Sequence, residues 1–160
     1  MSSHNQKSRS GRARRGIRRR KWLSAALGTR FPGIEVSHVE PGPVVSRVST
    51  NARLRIACTG GMPEGLSPHL CLKGYFTEIG RAAQPAGVPE AAFYRDLAGQ
   101  IGVRTLRSVY ADVDPETQAN VVLTEDVVAA GGHFLDPLSE YTPDQTAESL
   151  GQLAQLHAGK

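Results

Sequence analysis

At 160 residues the chain has room for one domain with a sizeable core, and no apolar run approaches the roughly 20 residues a bilayer-crossing helix needs. The net charge of +4 hides a division: residues 1–34 hold ten of the 19 Lys and Arg and no acid, leaving nine bases against fifteen acids, or −6, beyond them. The acidic body would repel a phosphate backbone, so only the basic arm could hold nucleic acid by charge, and Cys58 and Cys71, the only cysteines, match no zinc or redox spacing.

Met1–Arg20 is Ser, Gly and Arg with almost no apolar surface to offset the entropy of ordering, so disorder is expected over residues 1–21. A solvated tail without specific function is the plain expectation, and a tether to nucleic acid or an acidic partner is the competing one. Arg19-Arg20-Lys21-Trp22-Leu23 has the flavour of a twin-arginine export signal, but the apolar run from Trp22 to Leu27 stops at Gly28, short of an export segment. With no sign of an oxidising compartment, both cysteines are expected as buried, reduced thiols and the protein as cytoplasmic.

Trp22–Leu27 reads as a short helix ended by Gly28 and Pro32-Gly33. Ile34–Val39 alternates as a half-buried strand would, Pro41-Gly42-Pro43 breaks it, and Val44–Thr50 is a small-residue loop. In Ala52–Cys58, Leu54, Ile56 and Cys58 share one face and Arg53, Arg55 and Ala57 the other. After the turn Thr59–Gly65, the strand His69–Phe76 puts Leu70, Leu72 and Gly74 on one face and Cys71, Lys73 and Tyr75 on the other. Pro89 opens a helix whose stripe is Ala92, Phe93, Leu97 and Ile101, closed by Gly102. Val103–Val113 is a strand, Asp114-Pro115-Glu116-Thr117 a turn and Val121–Leu123 a wholly apolar central strand. Residues 128–142 form a loop, and a last helix starts at Thr142 or Pro143 with the stripe Thr146, Leu150, Leu153, Leu156 and His157. The elements add up to an α+β layer arrangement, a five-stranded antiparallel sheet with one packed helix.

Three places carry chemistry. Lys73 sits in an apolar strand, where a lysine faces either solvent or a negative partner. Glu90 falls in the first turn of the helix that follows, where an acid suits the helix dipole. A strand lysine aimed by a helix glutamate is how kinases hold the α/β-phosphates of ATP. The third place is Val121–Val127, an apolar strand running into an acidic linker.

Four strings in order, Lys73-Gly74-Tyr75-Phe76, Glu90–Ala98, Leu123-Thr124-Glu125-Asp126-Val127 and Leu153-Ala154-Gln155-Leu156-His157-Ala158, resemble the aminoglycoside-phosphotransferase and choline-kinase-like family, including its ecdysteroid-kinase-like branch. The resemblance covers about Trp22–His157 and implies a protein-kinase-like amino-terminal lobe over 22–127, then a hinge-following loop and the first helix of a carboxy-terminal lobe over 128–160. It implies transfer of the ATP γ-phosphoryl group to a hydroxyl of a small-molecule acceptor, with Mg²⁺. Lys73 and Glu90 would hold the phosphates, and the backbone of Glu125 and Val127 would meet adenine. Val44–Asn51 would cover the phosphates through Ser46, Ser49 and Thr50, although it lacks Gly-x-Gly-x-x-Gly. The catalytic pattern His-x-Asp-x-x-x-x-Asn occurs nowhere, and His133-Phe134-Leu135-Asp136 lies too early to replace it. The chain is therefore expected to be a lobe cut off before the catalytic loop and inactive alone, without ligands for Mg²⁺. A separate chain could supply the other lobe, and the Leu150, Leu153, Leu156 face, left bare, is expected to drive self-association. A non-enzymatic module working through the basic arm is the alternative.

Overall fold

The computed structural model of the protein describes residues 3–136 and 138–158; the outermost residues of the basic arm and of the final segment, 1–2 and 159–160, and Pro137 lie outside the described residues. A helix, α1 (Ser3–Gly28), leads into three strands, β1 (Val36–Ser46), β2 (Thr50–Cys58) and β3 (His69–Gly74). A helical stretch follows, made of α2 (Glu78–Ala83), a 3₁₀ turn (Gln84–Gly87), α3 (Val88–Ala92) and a π-helical turn (Phe93–Leu97). Then come β4 (Ser108–Val113), β5 (Asn120–Glu125) and α4 (Pro143–Ala158). The strands form one antiparallel sheet in the order β1-β2-β3-β5-β4. The class is α+β, as the sequence leads one to expect.

Both faces of the sheet are covered, where the sequence pointed to a single packed helix. Leu23, Ala26 and Leu27 of α1, spaced by three and four residues, are buried. Leu23 and Leu27 join Ile56, Leu70, Val109 and Leu123 in the main core. The Ser24 hydroxyl accepts the Val36 N–H at 2.9 Å, and Trp22 meets Tyr110 edge to face with ring centroids 6.0 Å apart. On the other face Ala91 packs with Ala111 and Val122 in a smaller cluster flanked by Tyr94 and Val113. Alternation along β5 sends Leu123 to one core and Val122 to the other, and in β4 the register shift between Ser108 and Tyr110 lets Val109 join the first while Ala111 joins the second.

Several boundaries differ from the sequence reading. The helix continues upstream to Ser3 instead of giving way to disorder before Trp22. Arg, Lys, Gln and Ala are good helix formers, and the packed turns at Leu23 and Leu27 supply the nucleus from which a helix extends. β1 does not stop at Pro41 but runs through Pro41-Gly42-Pro43 to Ser46, so Val44–Thr50 is a hairpin and not an open loop. Two facts permit this: β1 is an edge strand, where a missing N–H is tolerated, and a bulge between Pro41 and Val44 absorbs one extra residue.

The helix after β3 also turns a different face inward. Ala91 and Tyr94 face the sheet, while Leu97 is exposed. The π turn at Phe93–Leu97 breaks the regular spacing on which the expected stripe of Ala92, Phe93, Leu97 and Ile101 depended. Residues 103–107 are irregular, and β4 starts at Ser108.

α4 begins where expected. Thr142 Oγ1 accepts the Gln145 N–H (3.2 Å) while Gln145 Oε1 accepts the Thr142 N–H (2.8 Å), a reciprocal cap. Arg104 ties it to the preceding irregular segment through Glu148 (2.7 Å) and its own N–H to Gln152 (2.7 Å). Leu150, Leu153 and Leu156 are all exposed. Among the described residues no helix is long and apolar enough to cross a membrane.

Candidate functional site

The strand registers align a row of residues across the sheet on the face that carries Ala91. Val45 of β1 opposes Asn51 of β2, Asn51 opposes Lys73 of β3, Lys73 opposes Val122 of β5, and Val122 opposes Ala111 of β4. The next row on that face sets Arg53 opposite Cys71 and Cys71 opposite Thr124. These two rows floor a cleft of 640 Å³, walled by Glu90 and Tyr94 on the helix side and by Glu125, Asp126 and Val127 at the end of β5.

Lys73 and Glu90 meet inside this cleft. The Lys73 ammonium donates to both carboxylate oxygens of Glu90, at 2.8 Å to Oε1 and 2.7 Å to Oε2. Packing of Ala91 against Ala111 and Val122 anchors the helix next to the sheet, so Glu90 is delivered to the strand lysine by the backbone and not by a flexible reach. Both side chains stay about one-third exposed, 32% and 35%, and the pair is open to a ligand.

The end of β5 is fixed on both sides. Asp126 Oδ1 accepts from Arg53 Nε (3.3 Å) and from the Val128 N–H (3.0 Å), and the Asp126 N–H donates to the His69 carbonyl (3.0 Å). The Glu125 carboxylate turns away to Arg107 (3.2 Å) and the Ser67 N–H (3.2 Å). The Val127 carbonyl accepts the Gly132 N–H at 2.8 Å, whereas the Val127 N–H has no partner among the described residues. A side chain at position 132 would sit 2.9 Å from that carbonyl, so the return of the chain needs glycine.

Of the expected site residues, Lys73, Glu90, Glu125 and Val127 line the cleft, and Ser46, Ser49 and Thr50 do not. Ser46 and Thr50 are a directly opposed pair whose hydroxyls bond each other at 2.9 Å, and Thr50 is buried. The reason is the period of two along a strand. With β1 continuing to Ser46, Val45 and Asn51, the neighbours of Ser46 and Thr50, face the cleft, and Arg47 rather than Ser49 reaches it from the hairpin tip.

Sequence reading also missed Arg53, Cys71, Tyr94, Thr124 and Asp126. Alternation in β2 and β3 already put Arg53 and Cys71 on the Lys73 side of their strands and was the signal that could have found them. Burial, then the Asp126 charge, raises the Cys71 thiol above its ordinary value. Burial, then the Glu90 carboxylate, does the same to the Tyr94 hydroxyl. Asp136, in the His133–Asp136 string, is engaged in its own turn: Oδ1 accepts from the Leu138 N–H (2.9 Å) and the Ser139 hydroxyl (3.0 Å).

The residues present do not make a magnesium site, since no three His, Cys, Asp or Glu side chains converge among the described residues. No family model matches the chain, and neither a curated protein nor a solved structure is significantly similar to it.

Proposed function

We propose that the cleft binds ATP and that the chain is the nucleotide-gripping lobe of a phosphotransferase acting on a small-molecule hydroxyl. The observation that carries this reading is the Lys73–Glu90 pair lying inside a cleft between β3 and the helix that follows it. A lysine aimed by a bidentate carboxylate contact is a fixed point charge for the α- and β-phosphates, and it costs little to reorganise when they arrive. The chain's resemblance in sequence to the aminoglycoside-phosphotransferase and choline-kinase-like family supports the same reading.

Adenine then lies toward the far end of the cleft. The unpartnered Val127 N–H offers a donor to a ring nitrogen, the Glu125 carbonyl an acceptor for the exocyclic amine, and Val45, Cys71 and Val122 apolar surface for the ring. Phosphoryl transfer breaks the bond from the γ-phosphorus to the β–γ bridging oxygen and forms one to the acceptor oxygen, whose proton needs a base. In this chain the cleft carboxylates are already engaged by cations, so its residues bind and orient the nucleotide. The base and the metal ligands are not among the described residues of the cleft.

Calorimetric titration of the full chain with ATP tests the reading. Saturable one-to-one binding, lost in Lys73→Ala and weakened in Glu90→Gln, is the expected result. Wild-type protein that binds no adenine nucleotide, or Lys73→Ala protein that binds it undiminished, would falsify the assignment.

A further inference from the structure

Every carboxylate that lines the cleft has a cation of its own. Glu90 is held by Lys73, Asp126 by Arg53 and Glu125 by Arg107. The cleft's remaining charged side chain is Arg47, which comes from the β1–β2 hairpin and has neither an ion pair nor a side-chain hydrogen bond among the described residues. With Glu125 held by Arg107 from outside the lining, Arg47 is the one cation of the cleft without a carboxylate partner among the described residues, and it sits at the hairpin tip.

The hairpin's backbone brings Arg47 to the rim of the cleft. Ser46 pairs with Thr50 across the hairpin, and Val45 pairs with Asn51 in the row that contains Lys73. Arg47 is the first residue past the end of β1, two beyond Val45, and like Val45 it lines the cleft. Its N–H donates to the Ser49 carbonyl at 2.9 Å, which closes the tip and fixes where the side chain departs. The tip is itself held in place: a Cβ on Gly80 of α2 would fall 2.8 Å from the Val48 carbonyl, so helix and hairpin are in close contact there.

Building on the reading of the cleft as a nucleotide site, we propose that Arg47 grips the terminal phosphates of a nucleoside triphosphate. It takes the part that a glycine-rich loop plays with backbone N–H groups, with a side chain instead. A guanidinium presents a planar fork of donors that matches two phosphate oxygens at once, and it remains charged at every accessible pH. Lys73, two strands away, neutralises the phosphates nearer the nucleoside. Two cations so spaced along one groove measure the length of the phosphate chain: a triphosphate reaches both, and a monophosphate reaches only the inner one. The hydroxyls of Ser46, Ser49 and Thr50 take no part.

Calorimetric titration of the wild-type chain, Arg47→Ala, Arg47→Lys and Ser49→Ala with ATP, ADP, AMP and inorganic tripolyphosphate at fixed ionic strength tests this. Arg47→Ala is expected to weaken ATP by about tenfold or more, ADP less and AMP not at all, consistent with the loss of a charge-assisted fork. Arg47→Lys retains part of the ATP affinity, and Ser49→Ala binds as the wild type does. Tripolyphosphate, which lacks the adenine contacts, binds more weakly than ATP and loses affinity in Arg47→Ala. Arg47 is exposed, so circular dichroism is expected to show an unchanged fold. ATP binding that needs Lys73 but is indifferent to Arg47→Ala overturns the Arg47 assignment and leaves the nucleotide site standing. A wild-type chain that binds none of the adenine nucleotides overturns both.

Discussion

Arg53 Nε lies 3.3 Å from Asp126 Oδ1, a contact that ties the middle of β2 to the segment leaving β5. β3 runs between those two strands, so the pair spans it on the cleft face. The Asp126 side chain is only 9% exposed, and the same oxygen also accepts the Val128 N–H. Replacing Asp126 by Ala strands a half-buried guanidinium and a backbone donor together. The expected cost is about 2–4 kcal/mol in urea denaturation, and Asp126→Asn, which keeps an acceptor, is expected to lose less. Equal midpoints for Asp126→Ala and wild type would show that the tie carries no stability.

Stability and binding are expected to separate at Lys73. The ion pair with Glu90 is about one-third exposed on both sides, so solvent screens it, and Lys73→Met is expected to shift stability by only about 1 kcal/mol or less. The same variant is expected to abolish ATP binding in titration. A large loss of thermal stability in Lys73→Met would mean that the pair is a structural prop.

Gly87 tests how the helix positions Glu90. A Cβ there would penetrate the Tyr75 ring and the Asn120 side-chain oxygen. Asn120 in turn donates to the Gln84 carbonyl at 2.7 Å and holds the 3₁₀ turn to the start of β5. Gly87→Ala is therefore expected to destabilise by about 1–3 kcal/mol, as overpacking does. It should also weaken ATP binding, because Glu90 lies three residues downstream. Proteolytic susceptibility and titration with ATP report the two effects separately.

The Cys71 thiol offers a reading of the cleft that depends on pH. Burial, then the Asp126 carboxylate, raises its folded pKa above the ordinary value, so the thiol is held protonated near neutrality. The folded state then holds its proton more tightly than the unfolded state. That contribution to stability is complete below the unfolded value and is lost as the pH rises through the folded one. Alkylation of a Cys58→Ser variant by iodoacetamide is expected to be slow at pH 7, to accelerate only at a pH higher than the urea-unfolded chain requires, and to be slowed further by ATP. Alkylation at pH 7 as fast as in the urea-unfolded chain would place the thiol outside the cleft.

Much of this arrangement is legible in the residues. Lys73 and Glu90 could be paired from sequence because a strand lysine followed by an acid in the first turn of the next helix is the arrangement kinases use, and the alternation of β2 and β3 could be read directly. The hairpin tip could not. Pro41-Gly42-Pro43 ends a strand in nearly every setting, and only the edge position of β1 and a bulge let the chain continue. Once residues 44–50 are taken for a loop, period-two facing no longer applies, so small hydroxyl residues look like the phosphate contacts and Arg47 is passed over. The helix after β3 misleads for a related reason: a π turn is not visible in a pattern of apolar residues, and it rotates Leu97 outward. The upstream part of α1 was hidden by its composition, which gives helix-forming residues no apolar face of their own.

Pro41 and Pro43 have one more effect. β1 is the outermost strand on its side of the sheet, and a strand there normally presents a row of amide donors on which another chain can build. Two prolines and a bulge within four residues remove donors and bend the line, so a newcomer finds no continuous template. The cleft's own wall thereby resists fibril growth, and replacing both prolines by Val or Thr would hand that margin to whatever extended chain arrives first.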